Sequence, residues 1–370
     1  MTILTFLFYF FVAIICIQAI YYLGVFGSFV FSKPTKSTSI NKSVSVIVCC
    51  KNESKNLQDF LPSILSQNYP NFEVVLINDC STDNTLEIME GFASKHDNIK
   101  IVNVKSIEAF WGNKKYALTL GIKAAKHNTL LFTDADCKPV SSQWISNMSC
   151  HFSKEKTIVL GYGGYEKKKY SFLNALIRFE TLLAATQYFS FAKIGMPYMG
   201  VGRNLAYRRE EFFKARGFMD HMDIKSGDDD LFINQVATKS NTALCDAQKG
   251  FTVSKPETSI TSWFRQKRRH VSTSKFYKQK HKFLLGLFYC SQLLFWILAI
   301  VLLANTFMLN FVLALVIFRF LVQGISMYSS AKKFGETDLI LIFPFLELFL
   351  ILSQFSIFIT NKVSKPNHWK

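Results

Sequence analysis

Apolar residues concentrate at the two ends of the chain, and its middle alternates between short apolar runs and polar turns. Residues Ile3 to Phe31 carry no charged side chain, and this run exceeds the roughly 20 apolar residues that cross a bilayer core. Three further apolar runs cover Phe283–Ala304, Phe307–Tyr328 and Leu339–Thr360. We therefore predict a transmembrane anchor at 1–32, about three transmembrane helices at 283–362 and a short tail at 363–370.

A cleavable signal peptide is the competing interpretation of the first run. No basic segment precedes that run, and its apolar stretch is longer than such peptides use, so the sequence favours an anchor. Arg319 and Glu347 interrupt the later runs. Because a charge at membrane depth is costly unless it is paired, we expect both to face either a lipid headgroup or the bundle interior, where they can pair with each other.

Lysines flank the apolar runs and predict the orientation. They are Lys33, Lys36, Lys42, Lys278, Lys280, Lys282, Lys332 and Lys333. By the positive-inside rule these lysines face the cytoplasm, which makes 33–282 a cytoplasmic domain of a multi-pass inner-membrane protein whose N-terminus is outside. Four crossings would place the tail lysines Lys362, Lys365 and Lys370 outside, against the rule. The last run, which contains Pro344 and Glu347, is alternatively re-entrant or interfacial.

The middle of the chain follows the pattern of an α/β domain. Strand-like apolar runs occur at Val44–Cys49, Phe72–Ile77, Ile101–Val104 and Thr129–Thr133. Helical patterns separate them, through Leu57 to Leu65, Thr85 to Phe92 and Asn113 to Ala125. Such an order predicts a parallel sheet with helices on both faces, and ligands bind beyond the carboxyl ends of its strands. The linker-like segment Ser32–Lys42 precedes this domain.

Polar clusters follow those strands directly. Asp134 and Asp136 end the fourth strand, and their spacing points both carboxylates to one side, where they can hold a hard divalent cation. Asp79 ends the second strand and can accept hydrogen bonds from a base or a ribose, while Lys114 is a cation for phosphate. Taken singly, each is equally compatible with a turn residue or a solvated charge. As an ordered set they favour an enzyme.

Four motifs in this order resemble the inverting family 2 glycosyltransferases of GT-A fold. They are Val46-Ile47-Val48-Cys49-Cys50-Lys51-Asn52-Glu53, Asn78-Asp79-Cys80-Ser81-Thr82-Asp83-Asn84-Thr85, Gly112-Asn113-Lys114-Lys115-Tyr116-Ala117-Leu118 and Thr133-Asp134-Ala135-Asp136. The resemblance covers about 43–275 and implies a Rossmann-like, mostly parallel sheet. It also implies that Asn52, Glu53 and Asp79 hold the nucleoside, that Lys114 lies near the phosphates, and that Asp134 and Asp136 bind manganese or magnesium with the diphosphate.

A second acidic cluster, Gly227-Asp228-Asp229-Asp230-Leu231, offers a general base. Adjacent aspartates repel one another, so at least one is partnered or has a raised pKa. In the family that this chain resembles, members usually have a Glu-Asp pair at this position. If the segment is aligned with the family at Leu231, the general base falls on Asp228 and Gly227 replaces the first acid of the pair; we favour this alignment. If the alignment is shifted by one residue, the pair is Asp228-Asp229 and Asp229 is the base. The alternative is an N-cap with an acidic first turn for a helix at Leu231–Thr238.

Two further segments resemble the acceptor side of the family. Gly200 to Arg208 includes Gly202 and Asn204, where glycine lets the backbone approach a sugar closely; a plain turn into a helix near Arg209 is the alternative. Trp263 to His270 is similar to the Gln-x-x-Arg-Trp motif of membrane-integrated synthases and ceramide glucosyltransferases. The matching residues are Gln266 and Arg269, with His270 where tryptophan is expected. A basic juxtamembrane helix on anionic lipids is the competing interpretation.

Charge and cysteine content exclude other classes. Much of the net charge of +17 flanks apolar runs, which indicates membrane lipids rather than nucleic acid as partners. The eight cysteines lack a Cys-x-x-Cys pair, so we expect reduced thiols. The sequence thus predicts a membrane-anchored glycosyltransferase that moves a sugar from a nucleotide sugar, expected to be a uridine diphosphate sugar, to a lipid or glycan acceptor. The alternatives are a processive polysaccharide synthase and a non-enzymatic, nucleotide-sensing scaffold or transport protein.

Overall fold

The structure, a computed structural model, describes residues 2–33, 42–105, 114–224 and 226–364. Most of the predicted linker Ser32–Lys42, with Lys36, lies outside these ranges. The same is true of Gly112 and Asn113 in the third motif and of the tail residues Lys365 and Lys370.

Ten strands and thirteen α-helices occupy the described ranges. The strands are β1 (Val44–Cys50), β2 (Phe72–Asp79), β3 (Ile99–Val104), β4 (Thr129–Asp134), β5 (Cys137–Pro139), β6 (Ile158–Leu160), β7 (Gly163–Tyr165), β8 (Leu205–Arg208), β9 (Thr242–Leu244) and β10 (Thr252–Ser254). The helices are α1 (Ile3–Ala19), α2 (Gly27–Val30), α3 (Ser54–Leu65), α4 (Thr85–Ala93), α5 (Lys114–Ala124), α6 (Trp144–Ser149), α7 (Phe172–Lys193), α8 (Arg209–Lys214), α9 (Asp230–Val236), α10 (Ile260–Val271), α11 (Gln279–Ala304), α12 (Leu309–Phe334) and α13 (Phe343–Val363). A π-helical stretch, Ile20–Val25, joins α1 to α2, and a 3-10 stretch, Thr337–Ile342, leads into α13.

The main sheet has the strand order β3-β2-β1-β4-β8-β6-β9. Its first four strands are parallel, as predicted, while β8 runs antiparallel to both β4 and β6. The register pairs Cys49 with Asp134 and Cys50 with Asn78, so β1, β2 and β4 end at one edge. The predicted α/β fold with a mostly parallel sheet is confirmed. A small second sheet, β5-β10-β7, was not predicted.

Helices cover both faces of the main sheet because alternate strand residues point to opposite sides. Val46 and Val48 pack with Leu57 and Leu61 of α3 on one face. Ile47 and Ile77 pack with Ala117 and Ile122 of α5 on the other face. Each face buries aliphatic surface worth about 25 cal/mol per Å², so the strand edge that carries the polar clusters is held on a rigid support.

Within the described ranges, four helical segments are long and apolar enough to cross a membrane: Ile3–Val30, Gln279–Ala304, Leu309–Phe334 and Thr337–Val363. Arg319 of α12 and Glu347 of α13 form an ion pair whose side chains are each 1% exposed. Gln292 and Gln323 also bond to Glu347, both at 2.8 Å. The predicted pairing of Arg319 with Glu347 inside the bundle is therefore confirmed. The alternative, in which these two side chains face lipid headgroups, does not fit their burial.

The last apolar segment starts and ends against the soluble domain. At its start, Arg178 of α7 donates a hydrogen bond of 2.7 Å to Asp338. At its end, Arg268 of α10 donates to Asn361 at 2.9 Å. Between these contacts Glu347 meets Arg319, which lies fifteen residues, or roughly 22 Å, before the end of α12. Length and composition alone qualify this segment as a crossing, but its contacts favour the re-entrant interpretation.

Helix α7 joins the soluble part to the membrane helices. It packs against α2, α12 and α13, and its residues Leu176, Phe179 and Leu183 are buried. Phe172 is half exposed and contacts the Phe349 ring, with 4.9 Å between ring centroids. This apolar helix is thus core packing that also fixes the soluble domain on the bundle.

Candidate active site

The turn after β4 carries the first acidic cluster. One ligand atom from each of Asp134, Asp136 and Cys137 lies within 4.8 Å of the others. Burial and the neighbouring Asp134 raise the pKa of Asp136, and the Arg203 guanidinium opposes this. Burial also raises the pKa of the Cys137 thiol well above its usual range, so the thiol is neutral and a poor ligand for a hard cation. Two mutually repelling carboxylates fit a divalent cation, which would relieve their repulsion.

Lys114 connects this cluster to the second one. Its ammonium Nζ lies 3.0 Å from Asp134 Oδ1 and 3.1 Å from Asp228 Oδ2. Burial opposes the charge of Lys114, but Asp134 and Asp228 hold its pKa well above the usual value. The two acidic clusters, which lie far apart in the sequence, therefore face each other across one ammonium group.

The two outer aspartates of the second cluster have different partners. Burial opposes ionisation of Asp228, but the adjacent Lys114 ammonium outweighs it and lowers the pKa of Asp228. Burial raises the pKa of Asp230, although the hydroxyls of Thr273 and Tyr277 donate hydrogen bonds to its Oδ2. Asp228 is thus held as a carboxylate, and Asp230, which also lines the cavity, is held by hydroxyl donors.

Asp229 lies between them and has no ammonium partner at salt-bridge distance among the described residues. The backbone N–H of Gly202 donates to its Oδ2 at 2.6 Å, and the N–H of Asp230 donates to its Oδ1 at 2.7 Å, which makes Asp229 the N-cap of α9. Burial and the charge of Asp228 raise the pKa of Asp229 to about 7. A carboxyl that is half ionised near neutral pH is suited to accepting a proton.

The backbone conformation at Gly227 explains why a glycine precedes this acidic cluster. Its φ of +94° is unfavourable for any residue with a Cβ, and an added Cβ would lie 2.5 Å from Leu231 Cδ1. An acidic side chain cannot occupy this position without moving the backbone. The geometry therefore favours Asp228-Asp229 as the counterpart of an acidic pair.

The end of β2 forms another part of the same edge. Asp79 is 4% exposed, and its Oδ2 has no hydrogen-bond partner in the described part of the chain. Burial raises the pKa of Asp79, and Lys51 and Lys114 oppose this. A buried carboxylate oxygen without a donor is costly unless a ligand supplies one, so Asp79 is well placed to accept from a bound molecule. Glu53 lines the same cavity.

Two predicted contact residues instead hold loops. Asn52 Oδ1 accepts from the N–H of Thr82 at 2.8 Å, which ties the turn after β1 to the turn after β2. Asn204 is fully buried and donates to the carbonyls of Tyr162 and Gly250 at 2.9 and 2.8 Å. Neither residue lines the cavity. The expected placement of Asn52 and Asn204 against ligands is thus corrected, because their amides are used by the protein backbone.

Gly202 does line the cavity, but its backbone lies close to the Asp229 carboxylate rather than beside an open space that could hold a sugar. An added Cβ at Gly202 would lie 3.3 Å from Asp229 Oδ2, in addition to the hydrogen bond that its N–H donates. The glycine therefore positions the carboxylate that we describe above.

Helix α10 closes the cavity with the residues of the Gln-x-x-Arg segment. Gln266, Arg269 and His270 line it, and Gln266 Oε1 is buried with no hydrogen-bond partner in the ranges that the structure covers. Desolvation at the cavity wall and the nearby cations Lys267 and Arg269 lower the pKa of His270, although its side chain remains exposed. These residues face the cavity rather than a lipid surface.

Two residues without a predicted role also shape the site. The Arg203 guanidinium lies 4.2 Å from the centroid of the Tyr165 ring and faces the acidic turn of Asp136. Glu180 of α7 pairs with Lys267 at 2.7 Å and so fixes α10 over the cavity. Arg203 falls within a segment that the sequence singled out, but its spacing does not indicate which side chain turns inward.

A single cavity of about 1190 Å³ collects these groups. Its lining includes Asp79, Lys114, Asp134, Asp136, Asp228, Asp229, Gly202, Arg203, Gln266, Arg269 and His270. Residues of α7, α11 and α13, both apolar and polar, form a further part of its wall. The arrangement can hold a cation and a diphosphate at one end and can accept a proton from a second substrate beside them.

Known proteins share this domain. Residues 45–212 match the family Glycosyl transferase family 2. The poly-beta-1,6-N-acetyl-D-glucosamine synthase of Staphylococcus epidermidis is 36% identical over 120 residues, which are 30% of this chain and 28% of that protein. A glycosyltransferase of Haloferax volcanii is 36% identical over 110 residues, which are 29% of this chain and 34% of that protein.

One solved structure extends the likeness to most of the chain. A mannosyltransferase of Pyrobaculum calidifontis, in complex with GDP-Man and Mn2+, aligns with a TM-score of 0.57 and 17% identity over 87% of this chain and 98% of that chain. At this identity the match shows a shared GT-A fold. The matches to the curated relatives span about a third or less of those proteins' lengths.

Proposed function

Because residues 45–212 are a family 2 glycosyltransferase domain, we propose that the chain is a membrane-anchored, metal-dependent, inverting glycosyltransferase. It takes a sugar from a nucleotide diphosphate sugar, for which we expect uridine diphosphate, and transfers it to a lipid or glycan hydroxyl. The observation that carries this proposal is Lys114, which joins the carboxylates of Asp134 and Asp228 within one cavity.

The donor half of the site lies at the ends of β2 and β4. Asp134 and Asp136 hold the divalent cation, Asp79 accepts hydrogen bonds from the nucleoside, and Lys114 lies near the phosphates. When bound, manganese or magnesium supplies charge stabilisation for the departing diphosphate. The Arg269 guanidinium reaches the same cavity and can bind phosphate oxygens in a bidentate manner.

The acceptor half is centred on Asp229. Its pKa of about 7 and its two backbone hydrogen bonds support Asp229 as the general base, ahead of Asp228, which Lys114 holds as an ion pair. The acceptor O–H gives its proton to Asp229 while the oxygen bonds to the anomeric carbon. The bond from that carbon to the phosphate oxygen breaks, and the nucleotide diphosphate leaves from the opposite side, which inverts the centre.

Exchanging each carboxylate for an amide tests this assignment. We expect Asp229→Asn to lower kcat by about 10²–10⁴ while nucleotide-sugar affinity, measured by calorimetry with manganese, is unchanged, because only proton removal is lost. Asp228→Asn removes a partner of Lys114, so it should alter donor affinity more than kcat. If Asp228→Asn instead collapses kcat at unchanged donor affinity, and Asp229→Asn retains turnover, the base is Asp228.

We also propose that the domain faces the cytoplasm of a cell whose inner membrane holds the apolar helices. The lysines that flank those helices support this orientation, since Lys33, Lys278 and Lys333 all lie at the ends next to the soluble domain.

A processive polysaccharide synthase is the second candidate. The similarity to the poly-beta-1,6-N-acetyl-D-glucosamine synthase supports it, although that similarity covers only 120 residues of this chain. The two candidates differ in their products. A single-transfer enzyme adds one sugar residue to a small acceptor, whereas a processive synthase adds sugars repeatedly to a growing chain.

A further inference from the structure

The cavity of the active site continues into the membrane-facing helices. On α11 its lining residues are spaced by three or four positions along one face. They are Lys282, Leu285, Gly286, Phe288, Tyr289, Cys290, Gln292 and Leu293. This face is about 11 residues, or roughly 16 Å, long. On α13 the lining residues Leu350, Gln354, Phe355 and Phe358 lie opposite. One continuous space thus links Asp229 with the apolar interior between α11 and α13.

This space opens sideways on the apolar surface. Cys290 lines the cavity and is also exposed, as are Phe355 at 44% and Phe358 at 53%. A Cβ atom added at Gly286 would meet no heavy atom within 4 Å. The cavity therefore has open space beside α11 at Gly286 and reaches the exposed apolar side chains of α13.

The wall chemistry favours a hydrocarbon over a glycan. Leucine and phenylalanine supply half of the lining residues on α11 and α13. Two of the polar lining groups are already used within the protein: the Tyr289 hydroxyl donates to the Ile351 carbonyl at 3.3 Å, and the Gln292 amide donates to Glu347 at 2.8 Å. A glycan in this groove would lose hydrogen bonds between its hydroxyls and water without replacing them, at a cost of about 1–3 kcal/mol for each group. An aliphatic chain would gain from burial.

The α13 wall is fixed to the active site. Arg268, in the helix that carries Gln266 and Arg269, donates hydrogen bonds to Asn361 and to Ser364 Oγ at 2.9 and 2.8 Å. The Arg319–Glu347 pair holds the other end of α13 in the bundle. The groove between α11 and α13 is therefore a built feature of the fold, with its polar end at the catalytic carboxylates.

We propose that the acceptor is a membrane lipid with a hydroxyl head, whose hydrocarbon chain enters between α11 and α13 and whose hydroxyl reaches Asp229. This inference rests on the proposed glycosyltransferase function and narrows its acceptor to a lipid. A growing polysaccharide would need a polar path at the same place.

The test compares two tryptophan variants of the full chain on one helix. Gly286→Trp fills the groove, whereas Ile297→Trp adds the same side chain at a position on α11 that is 47% exposed and lies outside the cavity lining. Each protein is placed in phosphatidylcholine vesicles that contain diacylglycerol or ceramide. Radiolabelled UDP-glucose, UDP-N-acetylglucosamine and GDP-mannose are supplied in turn with manganese. Label in the organic extract, label in water-soluble polymer and released nucleotide are measured in parallel.

We expect the unaltered chain and Ile297→Trp to place label in the organic extract with one of these lipids. Gly286→Trp should lower that transfer at least tenfold while it still binds the nucleotide sugar. Equal lipid transfer by both variants, label in water-soluble polymer, or nucleotide release without lipid labelling would each overturn the lipid acceptor. Absence of nucleotide release from every donor would instead count against the proposed function itself.

Discussion

At the scale of single residues, three consecutive aspartates differ because their neighbours differ. Lys114 keeps Asp228 ionised, two hydroxyls hold Asp230, and Asp229 lies between them with a raised pKa. Burial, together with the proximity of an ionised carboxylate, makes the Asp229 carboxyl basic enough to accept a proton near neutral pH. The division of roles follows from local contacts rather than from residue type.

The pH dependence of catalysis follows from this arrangement. Because a general base works only when deprotonated, we expect kcat/KM to fall as pH drops through about 7, the pKa of Asp229. Asp228→Asn removes a charge that raises this pKa, so the acid limb of its residual activity should move to lower pH. Steady-state rates between pH 5 and 9 measure both. An acid limb near pH 4 in the unaltered chain would contradict the assignment.

The sequence predicted the position of some site residues better than others. Asp79 and Asp134 end parallel strands, so their meeting at one edge follows from the register of the sheet. Asn52 and Asn204 could not be separated from ligand contacts, because an asparagine amide can bind either a ligand or backbone, and only tertiary packing decides which. The inward orientation of the Arg203 side chain likewise depends on tertiary packing, so the sequence does not predict it.

At the scale of elements, length decided what could be predicted. The four parallel strands are six to eight residues long and show clear apolar runs, and each was predicted to within two residues of its ends. Strands β5, β6, β7, β9 and β10 have three residues each, which is too short for a periodic pattern, so the second sheet was missed. The sequence does not predict whether α13 crosses the membrane or is re-entrant, because both kinds of helix have the same length and composition.

That path has a measurable consequence. Arg178 and Arg268 hold the two ends of the last apolar segment, so we expect the C-terminus to lie on the same side of the membrane as the soluble domain. A C-terminal epitope tag in inverted membrane vesicles should be cleaved by external protease, together with the soluble domain. An N-terminal tag should stay protected and serves as the control. Protection of both tags would mean that the last segment crosses completely.

At the scale of the whole molecule, one cavity joins the acidic strand edge of the α/β domain to the groove between α11 and α13. Helices α7 and α10 belong to the soluble domain, yet α7 packs on α12 and α10 packs on α13. The soluble domain is therefore not a mobile appendage of an anchor, and the catalytic carboxylates keep a fixed position relative to the membrane helices. The alternation of elements in the sequence predicted the two parts, but only side-chain contacts reveal how they join.

Nucleotide release from a panel of nucleotide sugars, with and without manganese, tests the central claim that the acidic groups form one metal-dependent transfer site. We predict that one donor releases its nucleotide diphosphate only with a divalent cation, and that Asp136→Ala abolishes this release. A chain that binds nucleotide but releases none from any donor would be a scaffold and would contradict the account. Full turnover by Asp136→Ala would likewise remove the cation from the site that we assign to it.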